Sequence, residues 1–119
     1  MLREVHFTNN QIAVHEDFDG VDTLQEKGMD FDFEGWSINF ESVLYLDLET
    51  CGIRNLTGVL NKFNNLETLI LTKNPLDDQS VVHILKLISL KILEAEGTEI
   101  SNAGFARLRD GLPGLEVYT

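Results

Sequence analysis

The sequence predicts an α/β solenoid, a coil of repeated units in which each turn adds one strand to a shared sheet. Three observations predict it. One apolar pattern recurs in units of 23, 24 and 25 residues through the second half of the chain. The head of each unit alternates apolar and polar residues at the period of a strand. The rest of each unit places apolar residues three and four apart, the spacing of one helical face.

The pattern is clearest at Leu66-Glu67-Thr68-Leu69-Ile70-Leu71-Thr72-Lys73-Asn74-Pro75-Leu76, which fills every fixed position of L-x-x-L-x-L-x-x-N-x-L. Val43, Leu46, Leu48, Cys51 and Ile53 occupy the same slots one unit earlier, and Leu90, Leu93, Ala95, Thr98 and Ile100 one unit later. Leu115 and Tyr118 open a further unit that is cut short. Four apolar slots fill by accident only ~3% of the time, so three units in register exclude chance. The Asn, Cys or Thr slot follows the strand, where a short polar side chain can bond backbone groups freed at a corner.

These residues resemble the leucine-rich-repeat superfamily over positions 43–119. The resemblance implies a right-handed solenoid with a parallel sheet on the concave face and helices on the convex face. Units start at 43, 66, 90 and, truncated, at 115. The stretch Ile100-Ser101-Asn102-Ala103-Gly104-Phe105-Ala106-Arg107-Leu108 is similar to the convex helix of ribonuclease-inhibitor-like or cysteine-containing repeats. The units are shorter than those types, closer to short bacterial-type repeats, and no subclass is assigned.

Helices are expected where Leu56, Val59, Leu60 and Phe63, and then Val81, Ile84, Leu85 and Ile88, recur at helical spacing. Asp78 suits the N-cap of the second helix, and Ser101 or Asn102 that of a third carrying Phe105 and Leu108. Gly111 fits a left-handed C-cap there, with Pro113 stopping the helix.

Residues 1–42 break the period. Leu2, Val5, Phe7, Asn10 and Ile12 match the template, yet 41 residues separate Leu2 from Val43. Either residues 1–12 are a first repeat followed by an acidic insertion, or residues 1–42 are an N-terminal cap of hairpins. The hairpins would turn at Thr8-Asn9-Asn10-Gln11, and between Phe31-Asp32-Phe33 and Ile38-Asn39-Phe40. Both readings cover the open end of the core.

The 119 residues carry a formal charge of -11, with twelve acidic and two basic residues in positions 1–50. That balance argues against nucleic acid, which needs a basic surface; it would attract a basic protein partner, although charge alone is met more simply by a small acidic protein that stays in solution. No apolar run is long enough to span a bilayer, and no signal-peptide pattern opens the chain. The lone Cys51 excludes an internal disulfide, which points to a reducing, cytoplasmic setting.

Sites of chemistry are not apparent. Read as a calcium loop from His15, the acidic stretch places Asp17, Asp19 and Glu26 at ligand positions. His15 is a poor first ligand, however, and flanking helices are missing, so a solvated loop is the better reading. His6, His15 and His83 do not pair at metal-ligand spacing, and Cys51 has no companion for zinc. No phosphate-binding loop, nucleophile motif or paired carboxylates in a pocket motif occur, so neither catalysis nor a cofactor is expected.

The family resemblance places binding on the concave face, where side chains between the inward leucines point. One column holds Glu4, Tyr45, Thr68, Ile92 and Val117. A second holds His6, Asp47, Ile70, Glu94 and Thr119, and a third Thr8, Glu49, Thr72 and Glu96. Tyr45, Ile70, Ile92 and Val117 would form an exposed apolar strip beside Asp47, Glu49, Glu94 and Glu96, suited to a protein partner. An acidic inhibitor of a basic enzyme or toxin is a second expectation. A homodimer through the terminal strand at Leu115–Tyr118 is a third, since an uncovered strand edge invites pairing.

Overall fold

The alternating heads of the units form strands, each three residues long. In the computed structural model, which describes residues 4–6, 13–15, 40–56, 60 and 63–119, these are β1 (Glu4–His6), β2 (Ala13–His15), β3 (Tyr45–Asp47), β4 (Thr68–Ile70), β5 (Ile92–Glu94) and β6 (Glu116–Tyr118). They make one sheet in the order β2-β1-β3-β4-β5-β6. From β1 through β6 the neighbours run parallel; β2 alone pairs antiparallel, with β1. The fold is α/β, with a parallel sheet and helical segments between its later strands.

Alternation decides which side chains enter the core. Leu46 and Leu48, Leu69 and Leu71, and Leu93 and Ala95 point inward and are buried. Each leucine sequestered in this way stabilises the fold by about 1.5–3 kcal/mol. Backbone pairing continues past the strands, with Leu48 and Thr50 N–H donating to the Ile70 and Thr72 carbonyls, and Leu71 and Lys73 to those of Glu94 and Glu96.

The chain then turns a corner, by the same means in each unit. Thr50, Lys73 and Gly97 occupy one slot and all have left-handed backbones, with φ of 54°, 60° and 73°. The next residue returns its side chain to a carbonyl of the strand just left. Cys51 Sγ donates to Glu49 O at 3.4 Å, Asn74 Nδ2 to Leu71 O at 2.9 Å, and Thr98 Oγ1 to Ala95 O at 2.8 Å. Asn74 also reaches the preceding unit, donating to Leu48 O at 2.8 Å and accepting from Cys51 N and Ile53 N at 3.0 and 3.1 Å.

A β-branched residue is strained in that slot, so Thr50→Gly is expected to stabilise the protein. The left-handed conformation costs about 1–2 kcal/mol for a residue with a Cβ, against ~0.5–1 kcal/mol of extra chain entropy for glycine. A urea midpoint unchanged or lowered by the substitution would show that the strain is relieved elsewhere.

Several expectations about the helical segments need correction. Leu56, Leu60 and Phe63 are buried, but none of them lies in a helix, and Val59 falls outside the described residues. In the next unit a 3₁₀ turn (Asp78–Ser80) leads into a single turn, α1 (Val81–Ile84). Val81 and Ile84 are buried and Leu85 half-buried, whereas Ile88 is 81% exposed and Leu87 fills the core instead. The reason is a β-turn. Leu90 N–H donates to Leu87 O at 3.0 Å, which ends the helical rotation and throws Ile88 outward.

That turn recurs. Phe40, Phe63, Leu87 and Leu112 each lie three residues before the first apolar slot of a unit, and all four are buried. Their carbonyls accept from Val43, Leu66, Leu90 and Leu115 at 3.0 to 3.3 Å. Phe40 therefore opens the first of these units and packs against Phe63, with ring centroids 4.8 Å apart. The expected hairpin between Phe31-Asp32-Phe33 and Ile38-Asn39-Phe40 lies outside the described residues except for Phe40, as does the Thr8–Gln11 turn, but the strands flanking that turn pair antiparallel, His6 opposite Ala13.

The longest helix is α2 (Asn102–Gly111), capped by Ser101, whose hydroxyl accepts from Gly104 N at 3.1 Å. Phe105 and Leu108 enter the core from it. Asp77, rather than Asp78, caps the earlier 3₁₀ turn, accepting from Gln79 N at 3.0 Å. Asp78 instead bonds Ser101 of the following unit through both its N–H, at 2.7 Å, and its hydroxyl. Those two hydrogen bonds hold the Asp78 carboxyl below its ordinary pKa. Gly104 makes room for this link, since a Cβ there would lie 2.7 Å from Asp78 Oδ1. Gly111 is the last helical residue and not a left-handed cap; the positive φ falls at Gly114, at 90°, within the Pro113-Gly114 turn.

Candidate functional site

Strand register sets the outer face, the side of the sheet turned from the core. Tyr45, Thr68, Ile92 and Glu116 form one row across β3 to β6, and Asp47, Ile70, Glu94 and Tyr118 the next. Glu49, Thr72 and Glu96 extend it, joined by the backbone bonds Thr50 N–H to Thr72 O and Lys73 N–H to Glu96 O. In β1, Glu4 pairs with Tyr45 and His6 with Asp47, the expected columns. Thr8 lies outside the described residues.

Val117 does not belong to this face. It pairs with Leu93, points inward and is half-buried against the core. The spacing from Ile92 to its partner Glu116 is 24 residues, whereas the leucine slots Leu90 and Leu115 are 25 apart. One residue is lost between the Leu112–Leu115 turn and β6, and a shift of one residue in a strand exchanges its two faces. The outer face therefore gains Glu116 and Tyr118, both exposed. Counting from Ile92 and Glu94, rather than from Leu90, identifies them in the sequence.

The expected apolar strip is also less exposed than its column positions imply. Tyr45 and Ile92 are half-buried, and Ile70 is buried in the middle of the sheet at 8% exposure. Asp47 and Thr72 are nearly as enclosed, Glu49, Thr68 and Glu94 are half-buried, and Glu96 is open to solvent. The Asp47 carboxylate accepts from Glu49 N–H at 2.9 Å, which fixes it beside Ile70. Tyr118 donates its hydroxyl to Glu116 at 3.1 Å, and that bond raises the phenol pKa, with the charge of Glu116 adding to it.

Like charges crowd this face. Partial burial pushes the Glu94 carboxyl above its usual pKa, and the neighbouring Glu96, Asp47 and Glu49 push it the same way. A raised carboxyl pKa means that ionisation opposes folding. The stability it withholds is present below the unfolded-state pKa and is lost as pH rises through the folded-state value. Glu94→Gln is accordingly expected to raise the melting temperature at pH 7, the advantage shrinking to nothing as pH falls below the carboxylate range. Equal melting of both proteins at pH 7 would show that the crowding carries no cost.

Other candidates give less. Cys51 is buried and bonded to Glu49 O, as its corner slot requires. His83 is half-buried in α1. Asp17, Asp19 and Glu26, the calcium candidates, fall outside the described residues, among which no group of three or more His, Cys, Asp or Glu is placed to hold a metal ion. No helix among the described residues is long and apolar enough to cross a membrane. No known protein family, curated protein or solved structure matches this chain.

Proposed function

We propose that the chain is a leucine-rich-repeat solenoid, coiled right-handed with its sheet concave and its helical segments convex, acting as a non-catalytic protein-binding module. The recurrence of the strand, left-handed corner, polar corner side chain and β-turn from unit to unit supports the solenoid. Residues 1–12 as a first unit are supported by the in-register parallel pairing of β1 with β3, while the antiparallel pairing of His6 with Ala13 supports the hairpin of an N-terminal cap. The observation that carries the function is the outer face itself. It sets half-buried Tyr45 and Ile92 beside the carboxylates of Asp47, Glu49, Glu94 and Glu96, apolar anchors within an acidic rim.

A basic protein is the partner such a face suits, and an enzyme or toxin held inactive by it is one form of that partner. In a source lysate, immobilised chain should capture a partner that Tyr45→Ala/Ile92→Ser loses and that Arg107→Ala, on the far helix, retains. Capture unchanged by the double substitution sets the binding site elsewhere and ends the proposal for this face. A cytoplasmic setting accords with the single buried thiol.

A second reading rests on the β6 edge, where exposed Glu116 and Tyr118 flank half-buried Val117. Pairing of that edge with a second copy gives a homodimer. Sedimentation velocity at two concentrations distinguishes it, a constant monomer mass removing this reading.

A further inference from the structure

The acidic residues of the outer face are not scattered; they stand in two parallel rows. Asp47 and Glu49 line β3 and its continuation, Glu94 and Glu96 line β5 and its continuation, and the strand between offers only the neutral Thr68, Ile70 and Thr72. Rows on alternate strands are about 9.6 Å apart, two strand spacings. A cationic side chain laid along the middle strand therefore has carboxylates on both flanks. Along each row the acids are two residues apart, about 6.8 Å, which is also the distance between alternate side chains of an extended peptide.

A second observation points into the same trough. Thr72 is 8% exposed, lies between Glu49 and Glu96, and its hydroxyl makes no hydrogen bond to any described residue. A buried hydroxyl without a partner among the described residues is costly, and strand alternation sets this side chain on the outer face between two carboxylates. Ile70 supplies apolar floor beside it, suited to the methylene stem of a long side chain.

We infer that this trough binds an extended basic segment carrying arginine at alternate positions, one guanidinium between Asp47 and Glu94 and the next between Glu49 and Glu96 over Thr72. The inference rests on the reading of this face as the binding surface. Arginine is favoured over lysine because its planar fork has donors on two sides, matching carboxylates on two flanks. Burial and then the charges of Glu96, Asp47 and Glu49 raise the Glu94 pKa, and those charges are what such a segment neutralises.

The test uses two synthetic octapeptides, one alternating arginine and threonine and one with the same composition and its four arginines contiguous. Binding to the full chain is read by fluorescence anisotropy at low and moderate salt. The alternating peptide is expected to bind at least about fivefold tighter. Glu94→Gln/Glu96→Gln should weaken it about tenfold, because each rung then has one charge-assisted hydrogen bond fewer. Thr72→Val, which keeps the shape and removes the hydroxyl, should weaken it about fivefold. Glu99→Gln/Asp110→Asn, a control that removes the same charge outside the trough, should change it less than about twofold. Cooperative melting at or above the parent's temperature establishes that the variants are folded, with a rise expected for Glu94→Gln/Glu96→Gln.

Equal affinity for both peptides, or equal weakening by both double variants, shows attraction to net charge alone and overturns the inference. The proposal that a partner sits on the outer face survives that result, because it stands or falls on the Tyr45→Ala/Ile92→Ser capture. No binding of the alternating peptide at low salt also overturns the inference.

Discussion

Asn74→Ala is expected to lower stability by roughly 3–5 kcal/mol, which falls among the largest effects of a single substitution. The side chain is fully buried and sits between two units. Its oxygen accepts from Cys51 N and Ile53 N, and its nitrogen donates to the carbonyls of Leu48, Leu71 and Thr72. Alanine removes the side-chain partner of Cys51 N–H, Ile53 N–H and the Leu48 and Leu71 carbonyls, while the Thr72 carbonyl keeps Thr50 N–H, and each buried bond lost costs about 1–3 kcal/mol when the site does not admit water. Asn74→Asp should be no better, because a carboxylate keeps the acceptor but faces the carbonyls with no donor and a buried charge. Urea denaturation measures both variants. A loss below about 1 kcal/mol for alanine would mean that the corner recruits water or repacks, and that Asn74 does not join the units energetically.

Phe63→Ala should cost about 3–5 kcal/mol, the usual penalty for emptying an aromatic site in a close-packed core. Phe63 is fully buried, packs against Phe40 and carries the carbonyl that closes the turn to Leu66. The adjoining unit provides an internal contrast. Leu87→Ala should be destabilising by about 2–5 kcal/mol, while Ile88→Ala should lie within ~0.5 kcal/mol of the parent, since Ile88 is 81% exposed. The reverse ranking would restore Ile88 to the core, as helical spacing suggests, and would contradict the turn at Leu87–Leu90.

The inward residues of the units starting at 43, 66 and 90 are readable because strand alternation has a period of two and tolerates no slippage where one face is buried. Leu66, Leu69, Leu71, Asn74 and Leu76 are all fully buried, and the corner role of Asn74 follows from its having both a donor and an acceptor. The Ser101 cap is readable for a similar local reason, a short hydroxyl side chain at the start of an apolar helical face. The outer rows through Tyr45, Asp47, Glu49 and their partners in β4 and β5 follow from the same alternation.

The misplacements share a cause. Helical spacing suggests Ile88 as a core residue and Asp78 as a cap, because periodicity within one segment contains no information about the segment beside it. Asp78 is drawn to Ser101, 23 residues away, and Ile88 is expelled by a turn that recurs in every unit. The leucine template puts Val117 on the wrong face because it counts from the turn, whereas pairing with β5 counts from the strand.

By itself the sequence determined the unit, its strand and corner, and the acidic character of the chain, because these depend on local alternation and on charge. Only the tertiary structure decided how enclosed the columns of the outer face are and that Glu116 and Tyr118, not Val117, join them. Asp47 and Glu94 come within two strands of each other across Ile70 through pairing of segments 23 and 24 residues apart, as β4 settles between β3 and β5. Long-range pairing selects one register among several that the side-chain pattern allows, and that selection sets the enclosure of Thr72 and the rise in the Glu94 pKa.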